Sequence, residues 1–210
     1  MAPKSLKKTD AYHHGNLRIA LIEAAGQLVQ ESGIESLTLR EVARRAGVSS
    51  GAPYHHFKDK AELIQELVWH RFERLEQAYQ RALLGQTTPQ EKLQAVGVAY
   101  VMFAVEHPAD FRLMFRPEMG SPFTSNNPAC TSVFRTVMQV IDEFQLAAPR
   151  REQAAMGVWS LVHGLAALLV DGPLQPLSHD LAQVRALALG VTSLMNLANR
   201  EGQPMQEETN

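Results

Sequence analysis

Apolar residues recur along most of this chain at spacings of three and four, the period that places them on one face of an α-helix. Leu17, Leu21, Ala24 and Leu28 make the first such stripe, and Gly33 ends the helix they predict. Thr38-Leu39-Arg40-Glu41 then has the Thr-x-x-Glu form of a capping box, with Leu39, Val42, Ala43 and Ala46 as the buried face of a short second helix. Gly47 closes it, as a glycine just past a helix end commonly does. Pro53 lacks an N–H and belongs in a first helical turn, which predicts a third short helix capped near Ser49 or Ser50. Asp59-Lys60-Ala61-Glu62 reads as another cap. The long helix after it carries Ile64, Val68, Phe72, Leu75, Tyr79 and Leu83 on one stripe, until the stretch from Gly85 to Pro89 interrupts it.

Leu93, Val96, Tyr100 and Phe103 mark the next helix, stopped near His107-Pro108. A short apolar helix is expected around Phe111–Phe115, a loop at 116–128 where Pro, Gly, Ser and Asn accumulate, and a helix from about Thr131 to Phe144. The last two predicted helices differ from the rest. Near 151–170, Ala155, Trp159, Val162, Ala166 and Leu169 form one stripe, and Val158, Leu161, Leu165 and Leu168 a second. Near 180–198, Leu181, Val184, Ala188, Val191 and Met195 form one, and Leu187, Gly190, Leu194 and Leu197 another. A helix apolar on two faces is buried on two faces. One face meets its own domain, so the second stripes are expected to form a two-fold dimer interface, with Gly190 permitting close approach. No strand-like alternation of useful length appears, and the predicted fold is all-α with about nine helices.

Composition adds little until it is divided along the chain. The net charge of −2 hides nine Lys/Arg against six Asp/Glu in residues 1–60, and eleven against sixteen in residues 61–210. A basic head on an acidic body suggests that only the head meets a polyanion, although a surplus of this size is also within ordinary scatter. Cys130 is the only cysteine, so no intrachain disulfide forms, and it reads as a small apolar or loop residue. No apolar run is expected to approach the ~18–20 residues that span a bilayer. The polar start of the chain lacks the apolar core of a signal peptide, so a cytoplasmic protein with no membrane partner is expected.

A short helix, a glycine-containing turn and a second short helix make a helix-turn-helix, whose second helix enters the major groove of DNA. That placement gives a use to Gly47-Val48-Ser49-Ser50-Gly51-Ala52-Pro53-Tyr54-His55-His56-Phe57. Ser49, Ser50, Gly51 and Ala52 are small and let backbone approach the duplex, and the serine hydroxyls offer hydrogen bonds to bases or phosphates. Tyr54 and His56 lie two apart and cannot share one helical face. Phe57 is the natural core anchor.

With these residues on the page, the chain resembles the tetracycline-repressor (TetR/AcrR) family of one-component bacterial regulators. The resemblance is carried by Gly33-Ile34-Glu35-Ser36-Leu37-Thr38, Val42-Ala43, Ala46-Gly47-Val48-Ser49, Tyr54, His56-Phe57, Lys60 and Leu63, over about fifty residues. The run His107-Pro108-Ala109-Asp110-Phe111-Arg112-Leu113-Met114-Phe115 and Trp159…His163-Gly164 resemble one subgroup of its C-terminal domains. Pro53 departs from the bulky aliphatic residue usual at its position. The resemblance implies that Thr38 and Lys60 contact phosphate at helix starts, that Tyr54 and His56 contact the DNA backbone, and that Arg40, Ser50, Gly51 and His55 face base edges. It also implies a cavity among residues 90–170 for a largely apolar effector; Met102, Phe103, Phe115 and Trp159 are candidates for its wall or plain core, and His163 is either its polar anchor or a hydrogen-bonded core histidine.

The expected organisation is therefore a flexible basic arm at 1–14, a helix-turn-helix domain at 15–60, an effector and dimer domain at 61–198 and a disordered tail at 199–210. Lys4, Lys7 and Lys8 either reach a minor groove or form a solvated terminus. The expected partners are double-stranded operator DNA, a second copy of the chain and a small-molecule effector. The expected function is a ligand-responsive regulator, with a constitutive DNA-binding protein and a helical-bundle enzyme as alternatives. No catalytic residue, metal or cofactor is expected: there is no nucleophile elbow or phosphate loop, and adjacent histidines such as His13-His14 and His55-His56 point about 100° apart on a helix and cannot chelate one ion together.

Overall fold

A computed structural model of the chain describes residues 10–119, 125–195 and 197. Among the described residues the regular structure is helical throughout: α1 (Asp10–Ser32), α2 (Leu39–Arg45), α3 (Lys60–Leu83), α4 (Pro89–Glu106), α5 (Pro108–Met114), α6 (Pro128–Asp142), α7 (Ala148–Val170) and α8 (Leu181–Ser193), with short 3-10 turns at Ile34–Ser36, Ala52–His55, Pro117–Met119 and Gln175–His179. The all-α architecture is as expected. The expected third helix is instead the 3-10 turn at Ala52–His55. Residues 10–14, expected in the arm, belong to α1; the rest of the arm, the tail at 199–210 and part of the 116–128 loop lie outside the described residues.

The chain packs as two compact units that do not follow sequence order: residues up to Leu75 group with His107–Thr131, and Glu76–Glu106 groups with the chain from Ser132 onward. In the first unit, Leu21, Ala25, Leu37, Val42, Ala43, Phe57, Leu63 and Leu67 are essentially inaccessible and form the core. Local chemistry fixes each turn around it. Gly33 takes φ 75°, a left-handed conformation that costs glycine nothing, and ends α1. Past α2, Gly47 at φ 69° allows Val48 N–H to reach Ala43 O at 3.0 Å and Gly47 N–H to reach Arg44 O at 3.3 Å, the paired bonds of a Schellman end. At α3 the Asp59 carboxylate accepts from Glu62 N–H at 2.9 Å, while Glu62 reaches back to Lys58 N–H at 2.6 Å.

In the second unit, α4 packs against both α7 and α8. Gly97 makes that fit possible, since a Cβ there would lie 2.8 Å from Thr192 Cγ2. The start of α4 is held by Glu91, which accepts from Thr87 N–H at 3.1 Å and Thr88 N–H at 2.9 Å; these bonds hold its pKa down to about 2. By length and composition α7 is apolar enough to cross a bilayer, with mean hydropathy 1.5 over its best 18 residues, and 44% of that window is buried. Packing on α4 accounts for the apolar character of one side.

Candidate nucleic-acid interface and effector cluster

Thr38 caps α2 through its hydroxyl, which accepts from Glu41 N–H at 3.1 Å. The reciprocal half expected of a capping box is diverted, because the Glu41 carboxylate is taken by Arg44. Arg45 pairs with Glu31 of α1, and both guanidinium groups are thereby held on a solvated face. Their carboxylate partners raise the pKa of each arginine through hydrogen bonding.

Between Ser49 and Phe57 the backbone closes by short steps: Ala52 N–H bonds Ser49 O at 3.0 Å, Tyr54 N–H bonds Gly51 O at 3.2 Å, and His56 N–H bonds Pro53 O at 2.9 Å. This is 3-10 geometry capped by Gly51 with no side-chain bond, which corrects the expected serine cap. Pro53 occupies an early helical position, where its missing donor costs nothing, and its ring is buried. Phe57 anchors the segment at 1% exposure beneath Arg18, whose guanidinium carbon lies 5.4 Å from the ring centroid and which also pairs with Glu66 at 2.5 Å. The result is a ridge pinned from inside.

On its outside, Thr38, Arg40, Ser49, Ser50, Gly51, Tyr54 and His55 are all exposed, Tyr54 by 57%. His56 is half-buried, its ring tilted against Phe57, so the two rings two residues apart do face differently. Lys60 is also half-buried and its ammonium donates to Ile34 O at 3.2 Å, which leaves two of its three protons for other acceptors.

The residues expected to line an effector cavity are distributed over both units. Met102 and Phe103 are buried on α4. Trp159 and His163 stack one turn apart on α7 with centroids 4.8 Å apart. Phe115 falls in the first unit, where its ring lies 6.0 Å from Phe72 and 5.2 Å from Phe111. Sequence reasoning missed Tyr100 as a polar group: its hydroxyl lies 2.7 Å from His163 Nδ1. Burial pushes the Tyr100 phenol well above its ordinary pKa and pushes His163 below its own. Both shifts favour the neutral forms of the pair. Trp159 also hydrogen-bonds the Tyr100 oxygen. A separate groove of about 330 Å³ lies within the first unit, lined by Gln30, Ile34, Arg112, Leu113 and Arg116 among others, and includes none of the expected effector residues.

The expected dimer residues also divide. Val158 and Leu165 are each 7% exposed within this chain, which leaves little of either side chain for a partner. Leu161 and Leu187 are half-buried, and Leu168 and Gly190 are exposed. The helix α8 stops at Ser193, so Leu194, 76% exposed, and Leu197 lie past its end rather than on its stripe. The outward face of α7 is instead Met156, Gly157, Ser160, Gly164 and Leu168, with Leu189, Gly190 and Ser193 outward on α8.

Residues 21–67 match the family model described as bacterial regulatory proteins, tetR family, and residues 93–194 match the tetracyclin repressor-like C-terminal domain. The chain is 30% identical over 176 residues to the HTH-type transcriptional regulator BetI of Escherichia coli, covering 79% of this chain and 90% of that one. It is 34% identical over 90 residues to the HTH-type transcriptional repressor KstR2 of Mycolicibacterium smegmatis, 43% of each chain. A solved structure of a Rhodococcus sp. RHA1 protein of unknown function superposes with a TM-score of 0.69 at 26% identity, covering 89% of this chain and 98% of that one. The ridge, the capped helices around it and these matches converge: the chain belongs to the TetR family of bacterial transcriptional regulators.

Proposed function

We propose that this regulator is a repressor that binds a palindromic operator as a homodimer in the cytoplasm and is released by a small, largely apolar effector. The observation that carries the reading is the ridge from Ser49 to His55, exposed on its outer side and pinned by Phe57 on its inner side. Thr38 and Lys60 flank it at the starts of α2 and α3, where backbone N–H groups and the helix dipole favour phosphate. Tyr54 and His56 contact the DNA backbone, Arg40, Ser50, Gly51 and His55 face base edges, and Ser49 offers its hydroxyl to a base or a phosphate. Repression, rather than activation, follows the KstR2 relative, which is a transcriptional repressor.

The effector contacts Met102, Phe103 and the Tyr100–Trp159–His163 cluster, whose stacked rings present an apolar surface with a polar edge. The helix α3 begins at Lys60 beside the ridge and continues to Leu83, beyond the residues of the first unit, so it links the two functions in one element. An effector acts only through its different affinities for two states, and moving a population from 1:99 to 99:1 takes about 5.5 kcal/mol. The dimer forms through the outward faces of α7 and α8. Selection of bound duplexes from a random DNA pool tests the proposal. A palindrome with half-sites one or more helical turns apart is expected; recovery of no enriched sequence would overturn it.

A further inference from the structure

Asp110 of α5 is 0% exposed and faces Arg71 of α3, itself 1% exposed, with Nε and Oδ1 3.0 Å apart. Arg74 Nη1 lies 3.8 Å from the other carboxylate oxygen. On its far side the Arg71 guanidinium reaches Glu23 of α1 at 3.4 Å and His70 Nδ1 at 3.3 Å. Gly26 of α1 provides the passage, since a Cβ there would lie 1.8 Å from Arg71 Nη2. One guanidinium thus runs through the junction of three helices, all within the unit that carries the ridge.

The pair is poorly built for stability. Arg71 Nε and both Asp110 oxygens have no aligned hydrogen bond, and two charges taken fully out of water repay their desolvation only with good geometry and satisfied partners. A well-packed apolar pair of similar size would do as well or better. What a buried charge adds is a preference for one register, because it meets its counter-charge only opposite its partner. Position matters here because α4 ends at Glu106 and α5 begins at Pro108, with His107 alone between them. Asp110 is the third residue of α5, so the pair bears on the start of that helix.

We propose that Arg71, Asp110 and Gly26 form a register lock that holds α5 against α1 and α3 in the arrangement from which the ridge binds its operator. The lock rests on the operator-binding reading, and its residues are positioning residues that touch no DNA. Arg71→Met/Asp110→Leu removes both charges at similar volume. This chain is expected to melt at or above the wild-type temperature and to bind the selected operator at least tenfold more weakly. Asp110→Asn, which leaves the buried arginine without its buried counter-charge, is expected to lower Tm by roughly 10 °C. Gly26→Ala removes no charge and offers α1 a better helix former, so a loss of operator affinity in it reports displacement of Arg71. The same change placed on Arg71→Met/Asp110→Leu is expected to cost no further affinity. Affinities are compared at a temperature where circular dichroism shows every chain folded. Wild-type operator affinity in either the double variant or Gly26→Ala overturns the lock, as do additive losses when the two are combined. A double variant that melts as low as Asp110→Asn assigns the pair to stability alone and also overturns it. Failure of the wild type to bind DNA would instead fall on the operator reading.

Discussion

His163 shows how one residue's surroundings set its chemistry. Burial lowers its pKa, so the unfolded chain takes up a proton more readily than the folded one as pH falls. The folded state thus loses stability from about pH 6.5 downward until the folded pKa is passed, and gains nothing from His163 above that range. His163→Asn is expected to remove this part of the acid sensitivity, visible as a smaller gap between urea midpoints at pH 7.5 and 5.5. Its stacking partner Trp159 gives the second expectation. Trp159→Ala should blunt release from the operator by an effector found in a screen of apolar compounds, while operator affinity stays near wild type. A variant that unfolds and loses DNA together would place Trp159 in the core instead. Thr38 and Phe57 were legible as a cap and an anchor because residue type and spacing announce those roles. Tyr100 was hidden inside an apolar stripe, and Asp110 reads simply as an acid in a first helical turn, with nothing in the sequence to point at Arg71.

At the scale of elements, the starts of α2 and α3 are legible because their caps are local chemistry, whereas the serine cap expected before Pro53 does not form. Asp59→Ala removes the bond to Glu62 N–H and is expected to cost about 1 kcal/mol, a fall in Tm of roughly 2–4 °C by calorimetry. The ends were read less well. The leucine pattern of the last helix runs on to Leu197, yet α8 stops at Ser193. There Thr192 and Ser193 turn their hydroxyls back onto Ala188 O at 2.7 Å and Gly190 O at 2.6 Å, a local competition that periodicity does not register. Pro53 likewise shortens the recognition element to a 3-10 turn, which leaves Arg40 on α2 and Ser50 before the turn as exposed candidates for base contact. Arg40→Ala and Ser50→Ala are each expected to change which bases are selected at one half-site position, with a loss of about 1–3 kcal/mol on the preferred sequence.

For the whole molecule, burial splits the second apolar stripe that the sequence places on α7, because an apolar stripe does not say which of two burial partners it meets. Core and partner differ by burial alone: Leu165 is closed off in its own chain, while Leu168 is open to solvent. Leu165→Glu is therefore expected to unfold the protein, whereas Leu168→Glu with Leu189→Glu should give folded monomers that bind the operator weakly. Light scattering separates the two, and a wild type that is monomeric at micromolar concentration would contradict the dimer. The central claim, that the pinned ridge and the flanking helix starts grip DNA phosphate, is tested most directly by operator affinity across a salt series for the wild type and for Tyr54→Ala/Lys60→Ala. The account predicts weaker binding to every sequence tried and a salt dependence shallower by about one unit of slope for the lost lysine contact. Full affinity with an unchanged slope in the double variant would contradict it.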